Sequence, residues 1–226
     1  MGDKIKNFIK ALYFFPGKCY NGIRLRLHRF SVGKKFKSTG RIAIINHGNK
    51  SKIGEDVTIH SSWRANPIGC GSRTILRVLR GGSIEIGNHV GMSNVAITCR
   101  ESVVIDDYAL IGSGVKIYDT DFHSLNPAVR MRLAPKEPAK TKPVRIGAFS
   151  FIGAGAFILK GAQIGVGSIV GAGSVVTGKI PDWQIWAGNP ARFIREIPED
   201  ERGEVETLLK ELNKQEGVSD KKGILR

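Results

Sequence analysis

An aliphatic residue recurs at every sixth position between residues 146 and 176 of this 226-residue chain. The members of this series are Ile146, Ile152, Ile158, Ile164, Val170 and Val176. A small residue stands four positions after each of the first five, at Ser150, Ala156, Ala162, Ser168 and Ser174. A period of six matches neither a helix nor a long alternating strand. It predicts a short flat strand and a tight corner, repeated three times in each coil of about eighteen residues.

Successive coils are expected to stack at the spacing of paired strands, about 4.8 Å. The predicted inward pairs are Ile146 with Ile164, Ile152 with Val170, and Ile158 with Val176. The predicted outward pairs are Phe151 with Ile169 and Phe157 with Val175. Together with Phe149, these outward residues predict an apolar patch larger than a monomer usually exposes, and hence an oligomer.

The same repeat is present less regularly before residue 118. Inward positions are assigned to Ile86, Met92, Ile105, Ile111 and Ile117, and the small positions to Val90, Ala96, Ala109 and Val115. One extra residue falls between Met92 and Ile105, and the stretch from 61 to 80 fits poorly. A distorted or looped-out coil is therefore expected in that stretch.

The repeat is suspended between Ile117 and Ile146, and this insertion, about residues 118–145, contains four prolines and six basic residues. A long irregular insertion in a compact domain is usually functional or disordered. After the last coil, apolar spacing predicts an amphipathic helix from about 199 to 215, with Val205, Leu208, Leu209 and Leu212 on one face. The predicted domains are a basic helical segment (1–40), a β-helix (41–197), and a C-terminal helix and tail (198–226).

The net charge of +15 is concentrated at the N-terminus, where residues 1–50 hold twelve Lys or Arg and one acid. Ile5, Phe8, Ile9 and Leu12 are spaced as one face of a helix, which Pro16-Gly17 is expected to end. Such a basic amphipathic helix is typical of a segment that contacts an anionic membrane surface. A helix that merely caps the domain explains the pattern equally well. Nucleic-acid binding is not expected, because no aromatic residues alternate with the basic ones as a stacking surface requires.

The longest apolar run near the N-terminus, residues 11–15, is too short for a signal peptide or a membrane span. The chain is therefore expected to be cytoplasmic, with peripheral contact at the inner membrane face through residues 1–17. Three cysteines without a CxxC pair suggest neither a disulfide framework nor a zinc site.

Four motifs together resemble the hexapeptide-repeat acyltransferases. They are Ile-Gly-Asn-His-Val at 86–90, Tyr-Asp-Thr-Asp-Phe-His-Ser at 118–124, Gly-Ala-Gly-Ser-Val-Val-Thr at 171–177 and Gly-Asn-Pro-Ala-Arg at 188–192. The closest resemblance is to the O-acetyltransferases of galactosides, maltose, nodulation factors and surface polysaccharides. It implies an all-β fold, a left-handed parallel β-helix with short N- and C-terminal helices. It also implies a homotrimer with an active site between each pair of subunits.

The resemblance implies transfer of acetyl from acetyl-CoA to a sugar hydroxyl, in surface polysaccharide (capsule or O-antigen) biosynthesis. A sugar or a lipid-linked glycan is the expected acceptor. His123 is the expected general base, Asp121 or Asp119 is expected to orient its ring, and Asn94 matches the asparagine that contacts acceptor or acetyl. The matching CoA-binding positions are Ala154, Ala172, Thr177, Arg192 and Arg195, whereas Gly178 replaces a lysine often found in the family.

Two other functions stay open on the sequence. The same fold also carries N-acetylation of an amino sugar, and a non-catalytic β-helix scaffold is the third alternative. A metal site is not expected, since none of His28, His47, His60 and His89 forms the H-x4-H pair of the zinc enzymes that share this fold. No cysteine stands beside His123, so a covalent acyl-enzyme is not expected either.

Overall fold

Short parallel strands wind around a triangular prism in the computed structural model, which describes residues 15, 17, 19–68, 73–205 and 207. The strands are β1 (Phe30–Val32), β2 (Lys37–Thr39), β3 (Ala43–Asn46), β4 (Ser51–Ile53), β5 (Thr58–His60), β6 (Ile75–Val78), β7 (Ser83–Ile86), β8 (Gly91–Ser93), β9 (Ala96–Cys99), β10 (Ser102–Ile105), β11 (Leu110–Ile111), β12 (Lys116–Tyr118), β13 (Val144–Ile146), β14 (Phe151–Ile152), β15 (Phe157–Ile158), β16 (Gln163–Ile164), β17 (Ile169–Val170), β18 (Val175–Val176), β19 (Lys179–Ile180), β20 (Gln184–Ala187) and β21 (Arg192–Glu196). Helical residues are 15, 17 and 19–27 (α1), Pro127–Arg130 (α2) and 199–205 with 207 (α3).

Three sheets form the walls of the prism, and successive strands visit them in turn. Wall A has the order β1-β4-β7-β10-β13-β16-β19, wall B the order β2-β5-β8-β11-β14-β17-β20-β21, and wall C the order β18-β15-β12-β9-β6-β3. All pairings are parallel except that of β20 with β21. The chain therefore has the parallel β-helix architecture that the six-residue period predicts.

The predicted register is confirmed at every pair named from the sequence. Ile146 pairs with Ile164, Ile152 with Val170, and Ile158 with Val176. Phe151 pairs with Ile169 and Phe157 with Val175 on the outer side. The aliphatic members and the five small residues are all buried. The small residues fit because they point inward beside a corner, where two walls converge.

The upstream coils depart from the predicted register at one position. Val95 is fully buried and Ala96 is partly exposed, so the assignment of Ala96 to the small inward slot is wrong. Ala96 instead pairs with the outward Lys116, and Ile97 occupies the inward position against Ile117. The corner between β8 and β9 has one residue fewer than the six-residue period requires. The extra residues therefore fall in the next corner, between β9 and β10.

The coils also begin before the predicted boundary at residue 41. Strands β1 and β2 pair with β4 and β5 as parts of the first complete coil. The loop expected within 61–80 lies between β5 and β6, which retain their places in walls B and C. The aliphatic period is hidden in the first coil because a buried serine, Ser38, takes the inward place on β2.

Helix α1 closes the N-terminal end of the prism. Leu25 is fully buried, and Asn21 is buried with its Nδ2 donating to Ser38 Oγ (3.0 Å) and the Gly40 carbonyl (2.8 Å). The predicted end of a helix over residues 5–12 lies outside the described residues, although Gly17 is itself helical, as are positions 15 and 19–27. Gly17 packs closely on the first coil, since a Cβ there would lie 3.3 Å from the backbone of Gly40.

Several sequence predictions lie outside the described residues. They include the apolar stripe at residues 5–12 and the apolar positions 208, 209 and 212 of the C-terminal helix. None of the helices that the structure describes combines the length and apolar character needed to cross a bilayer.

The predicted apolar patch is divided between different surfaces. Phe151 and Ile169 lie on wall B, whereas Phe157 and Val175 lie on wall C. Phe149 belongs to neither wall, since its ring stacks at a corner on Tyr108. A period of six puts consecutive outward residues on consecutive walls, so the patch is two apolar stripes.

Candidate active site

The residues predicted to act together fall at two opposite edges of wall C. Each strand of this wall begins at a corner shared with wall B (the B–C corner). It ends at a corner shared with wall A (the C–A corner). Asn94, Ala154 and Ala172 lie in turns of the B–C corner. The insertion with His123 leaves from the C–A corner, so one strand of wall C, roughly 10 Å long, separates the two groups.

At the B–C corner, Asn94 is buried and adopts a left-handed conformation with φ of 51°. Its backbone N–H donates to the His60 carbonyl (2.7 Å), and its Nδ2 donates to Ser113 Oγ (3.3 Å). An asparagine tolerates this conformation better than most residues do. The side chain is thus held along the corner, toward the next coil.

The following coils turn this corner into a groove of small residues and backbone. Gly173 N–H donates to the Ala154 carbonyl (2.9 Å), which stacks the turn of Ala172 on that of Ala154. A Cβ on Gly153 would lie 2.5 Å from the Ala172 nitrogen, so only glycine permits this approach. A Cβ at Gly155 or Gly173 would meet nothing within 4 Å. The groove is open to an extended ligand.

Two of the predicted CoA-binding residues, Arg192 and Arg195, are on β21. Arg192 pairs with Ala187, whose Cβ is the nearest neighbour of a Cβ built on Gly171. This places Arg192 beside the turn that carries Ala172. Arg195 pairs with Ile185, farther back on wall B. Both arginines are exposed.

At the C–A corner, the insertion starts from a paired stem. Asp121 N–H donates to the Lys140 carbonyl (3.1 Å), and Lys142 N–H donates to the Asp119 carbonyl (3.0 Å). Thr177, by contrast, follows β18 at this same corner and is exposed. The structure therefore brings Thr177 to the side of the insertion and away from Ala172.

Asp119 anchors the start of this stem to the coil below. Its carboxylate is fully buried and accepts the backbone N–H groups of Arg100 (2.8 Å), Glu101 (2.7 Å) and Ser102 (3.0 Å). The expectation that Asp119 orients the His123 ring is wrong, because backbone amides occupy both of its carboxylate oxygens. Burial, reinforced by the nearby Asp119 charge, raises the pKa of the Cys99 thiol to about 12, which keeps that thiol protonated and unreactive.

Asp121 and His123 are adjacent in the first turn of the insertion. The backbone N–H of His123, which is exposed, donates to the Asp121 carbonyl (2.7 Å). Asp121 Oδ1 pairs with Lys160 Nζ at 2.7 Å. Its Oδ2 is buried and has no hydrogen-bond partner among the described residues. The carboxylate is thus fixed by Lys160 and keeps one acceptor oxygen available.

Lys160 was not identified from the sequence. It stands in the turn between β15 and β16, in the coil stacked on the insertion stem, where Gly161 N–H donates to the Lys142 carbonyl (3.2 Å). Turn positions of the coil accept many residue types, so the repeat does not single out a lysine at position 160. Its partner Asp121 belongs to a segment without the repeat, so only the folded chain shows the pair.

The rest of the insertion is folded on itself. Ser124 Oγ hydrogen-bonds the Glu137 carboxylate, and Arg130 Nη1 donates to the carbonyls of Ser124 (2.9 Å) and Leu125 (2.7 Å). Asn126 caps α2 by accepting the Ala128 N–H (3.0 Å). These contacts give the residues around His123 a defined arrangement.

A cavity of about 380 Å³ opens on wall B next to the B–C corner. Leu110 and Phe151 form an apolar part of its lining, and the loop after β5 covers it, with Asn66 Nδ2 donating to Ser93 Oγ (3.0 Å). Ala154 lies at its edge. The groove at the B–C corner is therefore continuous with an apolar recess.

The third corner, between walls A and B, carries a column of left-handed residues that the sequence reading missed. They are Lys35, Asp56, His89, Tyr108, Phe149 and Trp183, all with positive φ. The His89 and Tyr108 rings stack at 4.5 Å, and those of Tyr108 and Phe149 at 4.9 Å. The sequence does contain a pattern that marks this column, since every member after Lys35 stands three residues after an inward isoleucine. His89 has the turn position expected for a structural histidine.

Within the described ranges, no group of three or more His, Cys, Asp and Glu side chains is placed to hold a metal ion. His60 Nδ1 is instead hydrogen-bonded with Thr39 Oγ1 (2.6 Å), and His28 Nδ1 accepts the Asn46 N–H (3.4 Å). Partial burial, with the nearby Arg24 and His47, lowers the pKa of His28.

Solved structures with the same architecture are hexapeptide-repeat and related acyltransferases. AntD, an N-acyltransferase from Bacillus cereus in complex with dTDP and 3-hydroxybutyryl-CoA, has a TM-score of 0.63 and 24% identity, over 86% of this chain and 97% of AntD. VCA0836, a hexapeptide-repeat-containing acetyltransferase from Vibrio cholerae, has a TM-score of 0.54 and 21% identity, over 85% and 93%. NeuO, a polySia-specific acetyltransferase, has a TM-score of 0.52 and 20% identity, over 81% and 99%.

No protein-family model matches the chain, and no curated protein matches its sequence. The structural likeness nevertheless covers nearly the whole of these neighbours. The chain has the left-handed parallel β-helix fold of the hexapeptide-repeat acetyltransferases.

Proposed function

We propose that this protein is an acetyl-CoA-dependent O-acetyltransferase that acts on a sugar hydroxyl in surface polysaccharide biosynthesis. The observation that carries the proposal is the exposed His123 two residues from Asp121, whose carboxylate pairs with Lys160 and keeps one oxygen without a partner among the described residues. The resemblance of the motif at 118–124 to the O-acetyltransferase branch motivates the choice of a hydroxyl acceptor.

His123 would act as the general base. A sugar hydroxyl is a weak nucleophile, so its proton must leave as the oxygen attacks the acyl carbonyl, and an imidazole is suited to accept that proton near neutral pH. Asp121, two residues before His123, would accept the opposite ring N–H through its Oδ2 and so fix the tautomer. Asn94, held at the B–C corner by Ser113, would contact the acceptor or the acetyl group through its amide.

The B–C corner fits the CoA portion of the co-substrate. Bound acetyl-CoA supplies the acyl group as a thioester. The open groove at Ala154 and Ala172 offers backbone groups to an extended pantetheine arm, and glycines keep side chains out of it. Arg192 lies at the end of this groove, where its guanidinium can grip a phosphate through two hydrogen bonds. Arg195, exposed on the same strand, would supply further positive charge.

We further propose that each site is shared by two chains of a trimer. Within one chain, wall C separates His123 and Thr177 from Asn94, Ala154 and Ala172. A threefold axis repeats one head-to-tail contact between each pair of neighbouring chains. That contact can place the C–A corner of one chain against the B–C corner of the next. The apolar stripes on walls B and C, with Phe151 exposed, provide surface for that contact.

The experiment that tests the function is a thiol-release assay with acetyl-CoA over a panel of nucleotide sugars and lipid-linked oligosaccharides. Release of free CoA that depends on one sugar, with an ester product seen by mass spectrometry, is the expected result. Absence of acetyl-CoA binding by calorimetry would contradict the proposal and favour a non-catalytic scaffold.

N-acylation of an amino sugar is the second candidate, and the likeness to AntD, an N-acyltransferase, favours including it. Matched acceptors that differ only in an amino or hydroxyl group at one carbon separate the two functions. Turnover of the amino sugar alone would replace O-acetylation by N-acetylation while leaving the assignment of the CoA groove unchanged.

A further inference from the structure

Helix α1 has two opposite faces that are used differently. Gly17, Asn21 and Leu25 are buried against the first coil. The opposite face of the helix carries a second series with a spacing of four residues: Phe15, Cys19, Ile23 and Leu27. Residues four apart lie on one face of a helix. The second series therefore points away from the protein.

This outer face is strongly apolar for an exposed surface. Phe15 is 60% exposed, Ile23 is 62% exposed and Leu27 is 71% exposed. Beside it, a groove of about 670 Å³ is lined by Cys19, Ile23, Val32 and Phe36 among other residues. The described part of the chain leaves this stripe uncovered.

The surroundings of the stripe are basic. Arg26, Arg29, Lys34 and Lys35 are all exposed around it. The charge of the nearby Lys37 is instead balanced by Asp56, because its Nζ pairs with Asp56 Oδ1 at 3.0 Å. The segment 1–50 as a whole carries a net charge of +11. Two such faces would repel each other, which disfavours a second copy of this chain as the occupant.

We propose that the outer face of α1 binds an anionic lipid surface. Large apolar side chains flanked by Lys and Arg are what a helix needs to lie in the headgroup region of a membrane. Anionic lipids attract each nearby basic residue, and the attraction decays over a Debye length. The N-terminal end of the prism, which α1 closes, would then face the membrane. This inference does not depend on acyl transfer.

Vesicle flotation of the full chain tests the proposal. Vesicles of phosphatidylcholine with phosphatidylglycerol are compared with vesicles of phosphatidylcholine alone, at low and high salt. We expect the protein to float with the anionic vesicles and to be released by high salt. Absence of flotation, or equal binding to both vesicles, overturns the proposal.

The double variant Ile23→Ser/Leu27→Ser is the decisive comparison. Both side chains are exposed, so the fold is retained, as thermal unfolding monitored by circular dichroism checks. Binding to anionic vesicles is expected to fall about tenfold or more. The matched control is Leu133→Ser, which removes an 82% exposed leucine from the insertion and leaves binding unchanged.

Two further readouts keep the assignment specific. Arg26→Gln/Lys34→Gln is expected to weaken binding at low salt, whereas Lys179→Gln, at the other end of the coils, is not. Flotation of the Ile23→Ser/Leu27→Ser protein at the wild-type level overturns the proposal, because binding to the vesicles then does not require the outer face of α1. A change in native mass of that variant without lipid also overturns it and assigns the face to a second copy.

Discussion

The two edges of wall C are built in different ways. The B–C corner repeats a glycine and a small residue in coil after coil, and its groove consists of backbone. The C–A corner interrupts the coils with a long insertion, whose start is held by the buried Asp119 and by the ion pair between Asp121 and Lys160. The regular corner offers a shape for an extended ligand, while the irregular corner offers side chains for chemistry.

On the proposed function, this difference would separate CoA binding from proton transfer. Substitutions at Ala154 and Ala172 should then affect the affinity for CoA, whereas substitutions at the C–A corner should affect turnover. The following changes test that division.

His123→Ala is expected to have the largest effect. Loss of the base should lower kcat about a thousandfold, while the KM for acetyl-CoA stays near its wild-type value. Steady-state thiol release measures both constants. The matched control is His47→Ala, which removes another exposed imidazole and should leave both unchanged. Wild-type turnover by the His123 variant would remove the base from the mechanism.

Asp119→Ala should destabilise the fold by about 3 kcal/mol, because three backbone N–H groups lose a charged acceptor in a buried site. Chemical denaturation measures the free energy of unfolding. Asp182→Ala is the control, since that exposed carboxylate accepts one backbone N–H, from Val166 at 2.8 Å, and should cost about 1 kcal/mol or less. Equal losses would mean that the insertion is not anchored through Asp119.

Lys160→Met should lower kcat about tenfold by releasing Asp121, with little change in the affinity for acetyl-CoA. Lys160→Arg retains the charge and should recover most of the activity. The control Lys136→Met removes an exposed lysine from the insertion itself and should be neutral. A Lys160→Arg protein as impaired as Lys160→Met would contradict a role for the ion pair.

The sequence predicts the regular parts of this molecule well because their contacts repeat. Ile146 and Ile164 occupy equivalent positions, so one period defines both the wall and the pairing. The same reasoning fails at Ala96, where a corner is one residue shorter and Val95 takes the inward place. Gly17, which the sequence suggests as a stop signal, is itself helical and packs against Gly40 of the first coil.

The candidate site was predictable only in part. His123 and Asp121 stand in a recognisable motif, and Ala154 and Ala172 follow the period. Lys160 could not be found because its partner Asp121 lies in the insertion, outside the repeat. The anchoring contacts of Asp119 could not be found because they reach the corner after β9, where the coil departs from the six-residue period. The separation of Thr177 from Ala172 likewise follows from the three-walled winding, which spacing along the chain does not show.

Mixed oligomers test most directly whether the two edges of wall C from neighbouring chains form one site. His123→Ala removes the base at one corner, and Ala172→Trp blocks the groove at the other. Each variant alone should be inactive, while tagged mixed oligomers, verified by native mass spectrometry, should recover activity. Each trimer that contains both variants has one of its three sites with both corners intact, so about one third of wild-type turnover is expected. Mixed oligomers no more active than the separate variants would contradict the shared site.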